Sequence, residues 1–240
     1  MVSPNADVRV WPWAVVTGLA AGALSLFRLW LGNSQAVTEN LWAEDGLFAL
    51  CIHKANFETC LVDPFAGYML FLPRVLAWPV SVLPWESWAL AANVLAAVLA
   101  GLTAAFVLVI MRGAGLSWFV SSVTALLPVI SPMVGLEALN AIGSSYMLLL
   151  FASTLAALFR PNRGRGWTGL IGALLLVTAL TIPSAVVLVL LVAIQWVRRQ
   201  IDRSVALIWL GALAVGLGSQ MLVVFTATSR RPLNLSDQSL

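Results

Sequence analysis

Charge is what this chain has least of: Asp, Glu, Lys and Arg together make up 10% of its 240 residues, against about 25% in a soluble domain. With 61% of the side chains apolar, too little polar surface remains to wrap a water-soluble core, and that class is excluded. Histidine is nearly missing, His53 being the only one, and cysteine occurs twice, as Cys51 and Cys60. A zinc centre needs a cluster of such ligands, so none is expected. No phosphate loop, nucleotide fingerprint or nucleophile motif occurs, and Gly164-Arg165-Gly166 is too short to count as one. The net charge of +3 comes from arginines in short loops rather than from a basic face. A nucleic-acid partner is therefore not expected.

What is abundant is long apolar runs. The first, Trp11 to Leu31, has no small-residue cleavage signature after it and reads as a retained span, with Arg28 near its far end able to snorkel. The eleven tryptophans fit interfacial belts. The pattern predicts an all-α polytopic bundle, one membrane domain over 1–240, with about seven spans near 11–31, 85–111, 116–134, 141–159, 167–181, 183–197 and 204–225. Juxtamembrane helices are expected in an outer loop, 32–86.

Arginine placement fixes this count. Arg112, Arg160, Arg163, Arg165, Arg198, Arg199 and Arg203 all flank apolar runs. They share the inner side only if 66–83, interrupted by Pro73, Arg74 and Pro79, does not cross, and if the run Trp167 to Val197 breaks into a hairpin at Thr181-Ile182-Pro183-Ser184. The amino terminus is then cytoplasmic and the carboxyl terminus outside. A multi-pass protein of a bacterial plasma membrane is the expectation.

The outer loop holds most of the acids: Glu39, Glu44, Asp45, Glu58, Asp63 and Glu86, against Lys54 and Arg74. Within it Phe48, Cys51, Ile52 and Ala55 repeat at helical steps, predicting a helix over Gly46 to Ala55 that lies along the membrane surface. A bridge between Cys51 and Cys60 would suit an oxidising compartment; simple apolar packing is the alternative.

Adjacent Glu44 and Asp45, followed by Gly46, are the leading candidates for acid/base chemistry. The plainer reading is that Asp45 caps the helix starting near Gly46. Glu137, in the second outer loop between Gly135 and Asn140, is a third candidate, or merely a loop acid. Arg74 stands among apolar residues and calls for a carboxylate, a phosphate or the interface as partner. His53 and Lys54 read first as interfacial side chains, and Gln220 as glue between helices.

Trp42-Ala43-Glu44-Asp45-Gly46, the stretch from Asp63 to Tyr68 leading into Leu72-Pro73-Arg74, and Leu83-Pro84-Trp85-Glu86-Ser87-Trp88 occur in an order that resembles the amino-terminal module of GT-C membrane glycosyltransferases, of the mannosyltransferase-like branch. The resemblance spans about residues 10–226. It implies an inverting transfer of a sugar from a polyprenyl-phosphate donor to a glycan or lipid acceptor outside the membrane, with Asp45 as general base and Glu44 and Glu137 in support. Arg74 and Lys54, with His53 beside them, would meet the donor phosphate. No cofactor is implied, and a divalent metal stays open. Family members continue with further spans, so a truncated module is expected. The competing expectations are a transporter or flippase for lipid-linked saccharides and a non-enzymatic membrane partner.

Overall fold

A computed structural model describes residues 10–32, 35–65, 67–131, 139–159 and 164–227. Among the described residues it is all-helical, apart from an isolated bridge between Phe65 and Tyr68. The helices are α1 (Val10–Gly32), α2 (Ala36–Glu39), α3 (Ala43–Lys54), α4 (Phe57–Val62), α5 (Phe71–Ser81), α6 (Trp88–Gly113), α7 (Trp118–Ile130), α8 (Ser145–Leu158), α9 (Arg165–Thr181), α10 (Val186–Val197) and α11 (Arg203–Ala227). Three stretches, Val10–Gly32, Trp85–Gly113 and Arg203–Thr226, are long and apolar enough to cross a bilayer. The chain is a membrane protein on that ground. Four more apolar helices are shorter: Trp118–Ile130, Ser145–Leu158, Arg165–Thr181 and Pro183–Val197.

The most extensive helix contact joins α1 to α6 through small residues. A methyl group on Gly101 would stand 2.6 Å from the Gly18 carbonyl oxygen, and one on Gly22 would stand 3.0 Å from that of Ala97. Backbones meet here because these positions carry almost no side chain, the arrangement that gives apolar helices their van der Waals cohesion in lipid. Gly18 faces Gly101 and Gly22 faces Ala97, so the two helices run antiparallel. The end of α1 and the start of α6 therefore lie at one end of the bundle. The intervening segment leaves and returns there, and α5, with 11 residues, is about 16 Å long, well short of a bilayer core of about 30 Å.

At the other end Arg112 lies 4.3 Å over the Trp118 ring and donates to the Leu116 carbonyl, while Trp13 meets Trp118 edge-on at 6.2 Å. Arg28 does not simply snorkel. Its guanidinium donates to the Val129 carbonyl at 2.5 Å, tying the far end of α1 to α7.

The second half is pinned by side-chain amides and an indole, polar groups that bond across helices where lipid offers no water. Trp209 donates to the Thr168 carbonyl at 3.0 Å and Gln220 to that of Leu180 at 2.7 Å, so α9 and α11 run parallel. The chain breaks after Thr181, where Ile182 is extended and Pro183 begins a short turn, because proline supplies no N–H and clashes with a preceding helical turn. Helix α10 then returns, and Gln195 donates to the Ala157 carbonyl at 2.5 Å to fix it on α8. Gln220 also donates to the Met69 carbonyl and accepts from the Met69 N–H, each at 2.8 Å. Thr181 accepts from the Leu72 N–H at 3.2 Å. The entrance of α5 is thus bolted to the ends of α9 and α11.

Candidate active site

Helix α3 begins at Ala43, earlier than the expected Gly46, so Glu44 and Asp45 belong to its first turn. Its buried stripe is Asp45, Phe48, Ala49 and Ile52, the three- and four-residue spacing of one helix face. Cys51 is only partly buried and Ala55 is exposed, which corrects the expected stripe. The helix does not simply rest on a membrane surface, since it packs Phe48 and Ile52 into a core with Cys60, Leu70, Ala77, Ala96 and Ile142.

Asp45 is fully buried. Its Oδ2 accepts from the Ile142 N–H at 3.0 Å and its Oδ1 from the Gly143 N–H at 2.7 Å. The cap expected on its own helix is not made, and residue 42 at the cap offers no side-chain bond either. The carboxylate serves another element instead, holding the turn at 141–144 that leads into α8. Helix α8 starts at Ser145 and not at 141, and two amides ahead of it are engaged by the Asp45 side chain.

Glu44 faces the same turn. A methyl group placed on Gly143 would lie 2.9 Å from Glu44 Oε2 and 3.1 Å from Asp45 Oδ1. Only glycine lets both acids approach the backbone here. Glu44 is half-buried, and among the described residues its side chain has no hydrogen-bond or ion-pair partner. At the end of the turn the Ser145 hydroxyl, 1% exposed, has no partner either. Gly143 and Ser145 were not singled out from sequence, although the run Gly143-Ser144-Ser145 at the head of an apolar stretch is a recognisable turn signal.

Arg74, on α5, is 3% exposed, and with Asp45 it makes up the whole set of buried charged side chains among the described residues. Its Nε and Nη1 have no hydrogen-bond partner, while its guanidinium sits 5.4 Å from the Phe48 ring, one helical turn beyond Glu44. Burial lowers the guanidinium to about 10, against the opposing pull of Asp63. It stays protonated at neutral pH. The expected partner carboxylate is not in hydrogen-bond contact with it among the described residues.

Two of the other candidates, His53 and Lys54, are not gathered here. His53 and Lys54 are exposed at the far end of α3, about 13 Å along the helix axis from Asp45. His53 Nδ1 lies 3.2 Å from the Ser81 carbonyl, and its ring meets Trp88 at 5.9 Å, as suits an interfacial side chain. Glu137 lies outside the described residues. Cys51 and Cys60 form a disulfide that fastens α3 to α4. Gln220 binds backbone on both sides, in the helix-joining role expected for it. Among the described residues no group of three His, Cys, Asp or Glu side chains could hold a metal ion.

An apolar cleft of about 280 Å³ flanks the turn, lined by Leu127, Pro128, Ser131, Leu139, Met147, Leu148 and Phe151. Leu139 precedes the turn gripped by Asp45 and Met147 follows it. No family model, curated protein or solved structure matches this chain.

Proposed function

We propose that the chain is the membrane module of a glycosyltransferase that takes a sugar from a polyprenyl-phosphate donor and passes it to a hydroxyl acceptor on the extracytoplasmic side. In this reading the shorter helices also cross, giving seven crossings with the amino terminus inside, and α2 to α5 form a cap over the outer end. The disulfide between Cys51 and Cys60 fits an oxidising compartment on that side.

The observations that support the proposal are two carboxylates at one turn, an apolar cleft lined by residues from either side of that turn, and on α5 a buried guanidinium with two unbonded nitrogens. A polyprenyl chain would occupy the cleft, and Arg74 would face the phosphate. The acceptor oxygen attacks the anomeric carbon from the side opposite the phosphate, the carbon–oxygen bond to phosphate breaks with its electron pair leaving on the phosphate, and a carboxylate of the 44–45 pair takes the acceptor proton. Configuration inverts. Transport fits less well, because the described helices that form the bundle bury no charged residue along their length, whereas ion or substrate pathways usually place several near the midplane.

The test is reconstitution in liposomes with a polyprenyl-phosphate hexose labelled in the sugar. Transfer of label to an acceptor, with release of polyprenyl phosphate, is the expected result. Label that stays on the lipid while the lipid changes leaflet would establish the flippase instead.

A further inference from the structure

Two adjacent carboxylates meet one turn, but they meet it differently, and the difference assigns them separate tasks. Resting on the transferase reading, we infer that Glu44 is the group that takes the acceptor proton and that Asp45 is a positioning residue that never touches substrate.

A general base must lend an oxygen to the hydroxyl it deprotonates, within about 2.6–3.2 Å. Asp45 has no exposed surface, and each of its oxygens already accepts a backbone N–H, from Ile142 at 3.0 Å and Gly143 at 2.7 Å. Freeing one would unlatch the turn that starts α8. The same two bonds explain why an acid is needed at 45: they clasp α3 to a segment almost a hundred residues away and so fix the height of Glu44 over Gly143.

Glu44 has what Asp45 lacks. Glu44 is partly buried and not sealed, its side chain has no partner among the described residues, and its Oε2 lies where a Cβ on residue 143 would crowd it. Two buried polar groups, one at the end of the turn and one on α5, stand without partners. The Ser145 hydroxyl stands at the head of α8 with nothing to bond, and the Arg74 guanidinium lies on Phe48 with two nitrogens unbonded. Leaving such groups unsatisfied is costly unless a ligand completes them. A phosphate-bearing sugar with a hydroxyl acceptor supplies both kinds of partner, and Glu44 is the remaining open acceptor at the turn.

The experiment uses the full chain in lipid, with three readouts. Carbodiimide with an amine nucleophile, followed by peptide mass spectrometry, should modify Glu44 and spare Asp45. Glu44→Gln should cut kcat on the polyprenyl-phosphate hexose by about 10²–10⁴-fold, abolish the acidic limb of the pH profile, and leave amide exchange at Ile142 and Gly143 unchanged. Asp45→Asn should speed exchange at those two amides and lower kcat while the acidic limb persists. Ready modification of Asp45, or an acidic limb lost with Asp45→Asn and kept with Glu44→Gln, overturns the assignment. Full-rate transfer by Glu44→Gln does so as well, with the transferase reading intact. A parent that transfers sugar from no polyprenyl-phosphate donor overturns that reading and Glu44's role with it, whatever the labelling shows of the Asp45 clasp.

Discussion

Replacing Arg74 by methionine should make the ligand-free protein more stable. Most buried polar residues resist such a change, so the sign is informative. Arg74 is 3% exposed, and its Nε and Nη1 have no hydrogen-bond partner. Burial holds the guanidinium down at about 10 even with Asp63 pulling it up, a displacement from its ordinary value worth about 3 kcal/mol against the charged form. Against this, the cation–π contact with Phe48 gives back about 1–2 kcal/mol. Methionine fills a similar slender volume and needs no partner, so the net gain should be about 1–2 kcal/mol, consistent with the stabilisation seen when buried charges are exchanged for packed apolar groups. For a chain of this size that is a rise of about 2–8 °C in the unfolding midpoint. The assay is thermal unfolding of parent and Arg74→Met in one detergent, with and without polyprenyl phosphate. The parent should gain stability from the phosphate lipid and the variant should not. A variant that melts below the parent in the absence of lipid would refute the reasoning, for it would mean that the protein itself satisfies the guanidinium.

Gly101→Ala should destabilise by about 1–3 kcal/mol, the usual cost of overpacking, because its methyl would come 2.6 Å from the Gly18 carbonyl oxygen; an unchanged midpoint would show that α1 and α6 do not touch there. Gln220→Leu strips partners from the Met69 N–H and from the Met69 and Leu180 carbonyls, at about 0.5–1.5 kcal/mol for each bond. Amide exchange should then rise at Met69, and protection like that of the parent would count against the contact. With Cys51 and Cys60 bridged, a thiol reagent should label neither until a reductant is added; labelling without it would contradict the disulfide. Single cysteines at Glu86 and Arg112 should differ in access, the first reached by an impermeant reagent from outside and the second not. Equal access would undo the orientation of α6.

Much of the architecture could be read locally. Apolar runs alone place spans near 11–31, 85–111 and 204–225, within a few residues of α1, α6 and α11, since their length and composition belong to single segments. Pro183 marks the break between α9 and α10 for a covalent reason, and the antiparallel contact of α1 with α6 returns the intervening segment to the end at which it left. The acid pair also stood out, because charge is rare in this chain. Boundaries shifted where another element intervened. Residues 141–144 form a turn because Asp45 grips them, and α3 starts early enough to carry both acids.

Sequence pattern picked out the acids, Arg74 and Gln220 but not Gly143 or Ser145; the fold decided what each one does. Periodicity reports the faces of one helix, whereas Asp45 finds its donors at Ile142 and Gly143, Gln220 finds Met69, and Gly18 finds Gly101 only when distant segments pack. The same limit hid the contrast between the two acids. As neighbours on a helix they point about 100° apart, and which one is sealed and which left open depends on the turn that closes over them. Arg74 is the reverse case, a charge whose need for a partner was plain from its apolar surroundings. Tertiary packing buried it without providing one, because α3 brings it an aromatic ring where it needs oxygen.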